Sequence, residues 1–228
     1  MGAAFRGTGS LTYGAIRAAR NLAVTSLIAA GPAQADGVTI AALGDSLTQG
    51  YGLPAEDGFV PQLKAWLRDQ GAQVEIINAG VSGDTTAGGL SRVGWTLTPE
   101  VDAMILALGG NDLLRGIDPE VSRANLDGIL QAAEAAAVPV LMIGLDAPGN
   151  YGPQYEAAFE GMYPALADAH DAALIPDFFA PLTAETPDAA ARRRFMQADG
   201  IHPSADGVEV IVEGLGPRIL EWLDDLAR

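Results

Sequence analysis

The sequence contains no cysteine, and this absence excludes several kinds of chemistry. Disulfide bonds, thiolate catalysis and cysteine-based zinc sites all require a thiol. The chain also lacks a His-Glu-x-x-His zinc motif, a phosphate-binding Gly-x-x-x-x-Gly-Lys pattern and the Gly-x-Ser-x-Gly turn of ordinary α/β-hydrolases. Outside the N-terminus, no apolar run reaches the length of about 18 residues that a membrane-spanning helix needs. An internal membrane span is therefore not expected.

Positive charge is scarce. Lys and Arg number 13 against 29 Asp and Glu, which gives a formal net charge of −16. Nucleic acid and anionic membrane surfaces would repel such a protein, so we expect neither as a partner. Apolar residues make up 49% of the chain and charged residues only 18%, which is typical of a globular protein. The sequence gives no indication of the oligomeric state.

The N-terminal segment, residues 1–35, differs from the rest of the chain. Its only charged side chains are three arginines, and an apolar segment over residues 22–30 follows them. Ala33-Gln34-Ala35 then provides a small-x-small cleavage site. This order predicts a cleaved secretory signal peptide and a single mature domain over residues 36–228, located in the periplasm or secreted, with no stable membrane anchor. The alternative is an amphipathic or anchoring N-terminal helix.

Short apolar runs alternate with stretches of helical periodicity along the mature chain. This alternation, without hairpin signals, predicts an α/β fold: a three-layer α/β/α sandwich with a mostly parallel five-stranded sheet. Ligands bind beyond the carboxyl ends of the strands in such sheets. The predicted strands are Val38–Leu43, Val74–Ile77, Ala103–Leu108, Val138–Leu145 and Leu174–Ile175.

Three polar, glycine-rich loops follow three of these strands. They contain Ser46, the segment Gly80–Gly83 and Asn111, and we expect them to converge at one edge of the sheet. Ser46 sits in a sharp Gly-Asp-Ser turn and is a candidate nucleophile. The amides of Ser46 and Gly83 and the side-chain amide of Asn111 are candidate donors to an oxyanion. The alternative for the Asn111 segment is a turn stabilised by its own side chains.

A serine nucleophile needs a base, and the chain offers only two histidines. His170 lies near a predicted helix end, and we interpret it as a surface residue. His202 lies in a tight turn, with Asp199 three positions earlier, so the carboxylate could orient the ring while its other nitrogen faces the serine. Alternatively, Asp199 and His202 merely cap the last helix, whose start is predicted at Ser204 or Asp206.

Four sequence blocks in order resemble those of the GDSL, or SGNH, hydrolases. Within that family the chain is most similar to the branch of bacterial arylesterases and the multifunctional thioesterase I/protease I/lysophospholipase L1. The blocks are Gly44-Asp45-Ser46-Leu47, Gly80-Val81-Ser82-Gly83-Asp84-Thr85, Gly109-Gly110-Asn111-Asp112 and Asp199-Gly200-Ile201-His202-Pro203, and Asn150-Tyr151-Gly152 and Met196-Gln197-Ala198 also fit the branch.

The resemblance implies a flavodoxin-like SGNH hydrolase fold and assigns roles to the candidate residues. It implies Ser46, Asp199 and His202 as the catalytic triad, with Ser46, Gly83 and Asn111 as the oxyanion donors and with no metal or other cofactor. The implied partner is a small-molecule ester. The loops after the first and fourth strands are candidate walls for an acyl groove, with Leu47, Pro148 and Tyr151 as their substrate-binding residues.

The expected activity is hydrolysis of short-to-medium acyl and aryl carboxylic esters through an acyl-enzyme, with thioesters and lysophospholipids as side activities. One alternative is a carbohydrate acetyl esterase of the same fold. Another, from a different functional class, is a non-catalytic exported binding protein.

Overall fold

The computed structural model describes residues 37–186, 188 and 193–228. The predicted signal peptide, residues 1–35, lies outside the described residues. Within the described part, five strands form one sheet in the order β2-β1-β3-β4-β5, and every neighbouring pair is parallel. The strands are β1 (Val38–Gly44), β2 (Val74–Gly80), β3 (Ala103–Ala107), β4 (Val140–Ile143) and β5 (Ala173–Ile175).

Helices cover both faces of this sheet. One layer contains α2 and α7, which both pack on α8, and the other contains α3 and α6, which both pack on α5. The α/β prediction is therefore confirmed. The helices are α1 (Ser46–Gln49), α2 (Phe59–Asp69), α3 (Thr86–Thr96), α4 (Gly110–Leu114), α5 (Pro119–Ala135), α6 (Pro153–Ala169), α7 (Ala180–Glu185) and α8 (Ala205–Leu226), with 3₁₀ turns at Ala55–Asp57 and Arg193–Phe195.

The core lies between the sheet and its two helix layers. Strand β1 is inaccessible to solvent from Ile40 to Leu43, and every residue of β3 is buried. One face of α6 is buried against this core, including Phe159 and Tyr163. The Ser204 side chain caps α8 by accepting from the Gly207 amide at 3.2 Å, which decides between the two predicted caps. No helix of the described residues is long and apolar enough to cross a membrane.

Strands β2 and β4 differ most from their predicted bounds, whereas β1, β3 and β5 each differ by one residue at one end. Strand β2 continues beyond Ile77 to Gly80, because the backbone pairs with β1 although the side chains turn polar or small. Strand β4 begins at Val140 and not at Val138, because the Val138 amide donates to the Ala133 carbonyl at the end of α5.

Three strands end level with one another. Gly44 at the end of β1 pairs with Gly80 of β2 and with Ala107 of β3. The loops that follow these strands therefore start at the same edge of the sheet. This register brings the three polar loops together, as predicted.

Candidate active site

Ser46 is the first residue of α1, and only Asp45 separates it from the buried strand β1. The side chain of Asp45 caps the helix by accepting from the Leu47 amide at 3.0 Å. Gly50 ends it in the left-handed conformation, with φ of 85°. The sharp turn predicted from the glycine-rich sequence is thus a single short helix with the serine at its start.

Ser46, His202 and Asp199 form a continuous hydrogen-bonded chain. Ser46 Oγ lies 2.8 Å from His202 Nε2, and His202 Nδ1 lies 2.7 Å from Asp199 Oδ2. The other oxygen of Asp199 accepts from the amides of Ile201 and His202 at 2.9 and 3.0 Å. The alternative in which Asp199 and His202 only cap the last helix does not fit, because Ser204 provides that cap.

The charge of Asp199 fixes the proton on the imidazole. The hydrogen bond to His202 is the largest cause that lowers the pKa of Asp199 to about 2, and the two amide bonds add to it. An ionised carboxylate can only accept, so Nδ1 of His202 carries the proton and Nε2 presents a lone pair to the Ser46 hydroxyl. This is the tautomer that a general base requires.

The His202 turn is attached to the loop after α1 by Gln197. Its Nε2 donates to the carbonyls of Tyr51 at 2.7 Å and Pro203 at 3.0 Å, and its own amide donates to the His202 carbonyl at 2.8 Å. The Tyr51 ring packs against the imidazole with 4.7 Å between centroids. The sequence did not predict the Gln197 hydrogen bond to Tyr51 or the packing of Tyr51 on His202, since 146 positions separate Tyr51 from Gln197.

The candidate oxyanion donors come from the three convergent loops. Asn111 lies in the first turn of α4, and its Nδ2 donates to Asp45 Oδ2 at 3.3 Å. Gly83 has φ of 84°, and its carbonyl accepts from Arg115 at 2.8 Å. The Gly83 amide makes no hydrogen bond to any other described residue, so it is available to a ligand.

Asp45 is a buried carboxyl group beside the serine, with 2% of its surface exposed. Burial is the largest influence and raises its pKa to about 6, while the bonds from Leu47 and Asn111 act in the opposite direction. The two oxygens of this one side chain therefore hold the start of α1 and the amide of Asn111.

Two polar networks that the sequence did not predict fix the loops relative to the strands. Buried Asp112 accepts from the Thr86 amide at 2.8 Å, from the Thr86 hydroxyl at 2.6 Å and from Ser122 Oγ at 3.0 Å. It thereby joins the start of α3, which follows the Gly83 loop, to α4 and α5.

Arg92 of α3 forms the second network. Its guanidinium donates to Asp84 Oδ2 at 2.6 Å and to the carbonyls of Ala79 and Gly44 at 2.7 and 2.9 Å. The ends of β1 and β2 and the Gly83 loop are therefore bound to one side chain. The arginine had no local sequence pattern that distinguished it from a solvated charge.

A cleft of about 120 Å³ opens beside the serine. Leu47 lines it as predicted for a substrate contact, whereas Pro148 and Tyr151 do not. Tyr151 instead donates from its hydroxyl to the Leu114 carbonyl at 3.3 Å and packs on Tyr155, so it supports the wall from behind. The apolar lining consists of Leu47, Leu113, Leu114, Leu145, Phe179 and Ile201, next to Ser46, Asn111, Asp146 and His202.

His170 is not the exposed surface residue that the sequence suggested, since only 9% of its side chain is accessible. Its Nδ1 lies 2.7 Å from Glu134 and its Nε2 2.9 Å from Asp127, both on α5. The ring is covered because it bridges two helices. Among the described residues, no cluster of three or more His, Asp or Glu side chains could hold a metal ion.

Comparison with known proteins identifies relatives of this chain. Residues 42–210 match the family described as GDSL-like lipase/acylhydrolase. The chain is 37% identical to the esterase TesA of Pseudomonas aeruginosa over 187 residues, which cover 82% of this chain and 90% of the relative. It is 34% identical to thioesterase 1/protease 1/lysophospholipase L1 of Escherichia coli K12 over 183 residues, covering 79% and 83%.

Solved structures show the same fold. The psychrotrophic esterase EstA from Pseudoalteromonas sp., in a crystal structure inhibited by monoethylphosphonate, superposes with a TM-score of 0.74 at 29% identity. The superposition covers 82% of this chain and 98% of that one. The fold of this chain therefore has a counterpart in an esterase of known structure.

Proposed function

Because the chain belongs to the GDSL-like lipase/acylhydrolase family and is an esterase, we propose that it hydrolyses short-to-medium acyl and aryl carboxylic esters through an acyl-enzyme on Ser46. The observation that carries this proposal is the hydrogen-bonded chain from Ser46 Oγ through His202 to Asp199, with distances of 2.8 and 2.7 Å, at the mouth of an apolar cleft.

Acylation begins when Ser46 Oγ attacks the carbonyl carbon of the ester and its proton passes to His202 Nε2. The carbonyl oxygen becomes an oxyanion, which accepts hydrogen bonds from the amides of Ser46 and Gly83 and from Asn111 Nδ2. Asp199 stabilises the imidazolium. The bond to the leaving alcohol then breaks as His202 returns the proton to its oxygen, and the acyl group stays on Ser46.

Deacylation repeats these steps with water. His202 Nε2 accepts a proton from the water molecule, whose oxygen attacks the acyl carbon. The second oxyanion uses the same donors. The bond to Ser46 Oγ breaks, the proton on His202 returns to the serine, and the carboxylic acid leaves.

The cleft indicates the substrate class. Its six apolar side chains, including Leu145 and Phe179, suit an alkyl or aryl acyl group, and the small volume favours short-to-medium chains. Thioesters and lysophospholipids are proposed as side activities, in line with the name of the Escherichia coli relative. A carbohydrate acetyl esterase is not favoured, because neither the apolar lining nor the relatives' names point to a sugar.

We also propose that the enzyme is exported. The support is the order of basic region, apolar segment and Ala33-Gln34-Ala35 within residues 1–35. The enzyme would then act in the periplasm or outside the cell, with a small-molecule ester as its only proposed partner.

Hydrolysis of p-nitrophenyl butyrate by Ser46→Ala and Ser91→Ala variants tests the proposal. Ser91 is an exposed residue of α3 whose hydroxyl donates to the Gly88 carbonyl, and it serves as the matched control. Ser46→Ala is expected to lose turnover by at least about 10⁴-fold and to lose labelling by an ethylphosphonate probe. Ser91→Ala should retain both. Wild-type turnover or labelling in Ser46→Ala would overturn the assignment of the nucleophile.

A further inference from the structure

One wall of the cleft carries a negative charge that the reaction does not use. Asp146 follows β4 and lines the cleft together with Leu145 and Phe179. The other carboxyl group in the lining, Asp45, is buried and engaged by Leu47 and Asn111. Asp146 is exposed and is thus the one solvent-accessible carboxylate among the described residues that line the cleft.

The surroundings of Asp146 add to this charge and do not compensate it. Glu160 accepts from the Ala147 amide at 3.0 Å, and Asp177 accepts from the Phe179 amide at 3.1 Å, so both carboxylates lie against the segments that form this wall. Within the described part of the chain, none of these three acids makes an ion pair with lysine or arginine. Burial and the charge of Glu160 both raise the pKa of Asp146.

Arg115, a cation close to the neighbouring Gly83 loop, does not line the cleft. Its guanidinium donates to the Gly83 carbonyl at 2.8 Å. The formal net charge of −16 works in the same direction as Asp146. A charged group at the end of a bound acyl chain that reached this wall would therefore meet a negative potential beside an apolar lining, where charges interact more strongly than in bulk water.

We propose that Asp146 makes the cleft select acyl groups by charge: esters with an anionic group at the end of the acyl chain are rejected, and neutral or ammonium-bearing acyl chains are accepted. This selection rests on the proposed function, since it assumes that the acyl group occupies the cleft beside Ser46. Natural substrates would then be esters of neutral or cationic carboxylic acids and not half-esters of dicarboxylic acids.

Three p-nitrophenyl esters of matched shape test the proposal. The acyl groups are 4-trimethylammoniobutanoyl, its uncharged isostere 5,5-dimethylhexanoyl, and 4-sulfobutanoyl, which share one chain length and differ in the charge of the terminal group. We would measure kcat/KM at low ionic strength and at about pH 8. Where turnover is slow, competition against p-nitrophenyl butyrate gives the relative affinities of the three esters as inhibition constants.

Two variants that each remove one negative charge distinguish the effect of Asp146 from the effect of the protein's overall negative charge. Asp146→Asn changes the wall itself. Asp69→Asn removes an exposed charge at the end of α2, which leads into the start of β2 and so lies at the opposite edge of the sheet.

The wild type is expected to prefer the ammonium over the sulfonate ester by roughly 10-fold or more, and added salt should reduce this ratio. Asp146→Asn should lower the ratio by about fivefold, whereas Asp69→Asn should leave the ratio nearly unchanged.

An unchanged ratio in Asp146→Asn, or an equal fall of the ratio in Asp69→Asn, would overturn the proposed selection by Asp146. Hydrolysis of p-nitrophenyl butyrate would still support the proposed function in that case. Failure of the proposed function would appear separately, as undiminished butyrate turnover in Ser46→Ala.

Discussion

Asn111 Nδ2 lies 3.3 Å from Asp45 Oδ2, so the proposed side-chain oxyanion donor is held by the residue that precedes the proposed nucleophile. The same carboxyl group caps α1 through the Leu47 amide. Asp45 therefore acts as a positioning residue for both parts of the site. Its position costs stability, because burial disfavours the charged form and raises the pKa to about 6.

Replacement of Asp45 by Asn is expected to change how stability depends on pH. The folded-state pKa of about 6 lies above the ordinary 3.8, so the folded protein binds more protons than the unfolded chain between these values. The stability that the folded protein gains by keeping Asp45 protonated is thus fully present below about pH 4 and is lost as pH rises through about 6. The stability of Asp45→Asn relative to wild type should rise by up to about 3 kcal/mol over this window.

Urea unfolding at intervals from about pH 4 to pH 7.5 measures this difference. Asp69→Asn, a charge change at an exposed position, provides the control and should show no such rise. A constant difference between Asp45→Asn and wild type across the range would show that the carboxyl is not destabilised by burial.

Removal of the Asn111 amide should affect turnover more than binding. The oxyanion forms only after attack, so Asn111→Ala is expected to lower kcat by about 10²–10³-fold with a small change in KM for p-nitrophenyl butyrate. Thermal unfolding would establish that the variant is folded. A loss in kcat of less than about threefold would remove Asn111 from the oxyanion site.

Much of the fold could be predicted because it depends on local patterns. Buried parallel strands such as β3 are nearly continuous apolar runs, and the cap of α8 follows from Ser204 before a helical pattern. The extension of β2 to Gly80 could not be predicted, since it arises from backbone pairing with β1 and not from the side chains.

The residues proposed to react could be selected from their motifs, but the residues that hold them in place could not. Ser46 and His202 stand in short patterns with a chemical meaning. Gln197 and Arg92 donate hydrogen bonds to carbonyls that are distant in the sequence, and no sequence periodicity predicts such hydrogen bonds. The residues that line the cleft could not all be predicted, for a similar reason. Loop packing turns Tyr151 away from the lining, and it brings in Phe179 from a segment without a motif.

Asp112→Ala is expected to be strongly destabilising. The carboxylate is 1% exposed and accepts three hydrogen bonds, two from Thr86 and one from Ser122. Each buried donor left without an acceptor costs about 1–3 kcal/mol, so the free energy of unfolding should fall by about 3–5 kcal/mol. Ser122→Ala removes a single donor together with its need for a partner and should cost only about 1 kcal/mol. Equal losses in urea unfolding of the two variants would contradict the shared network.

His170 should stabilise the helix pair α5–α6 in a manner that weakens as pH rises. Burial opposes protonation of the ring, but the bonds to Asp127 and Glu134 outweigh it and raise the pKa of His170 above 6.5. The added stability is therefore fully present below about pH 6.5 and is lost as pH rises through the folded-state pKa.

The side chains of Asp127 and Glu134 are 41% and 53% exposed, so solvent screens their ion pairs with His170 and limits the gain in stability to about 1 kcal/mol. The stability advantage of wild type over His170→Gln should thus be largest near pH 6 and shrink toward pH 8.5 in urea unfolding. His170 follows the last residue of α6 and lies just before β5 begins, at the edge of the sheet opposite Ser46, so esterase activity should not change. A gap that widened with pH, or a loss of kcat, would show that the ring does not act as a charged bridge.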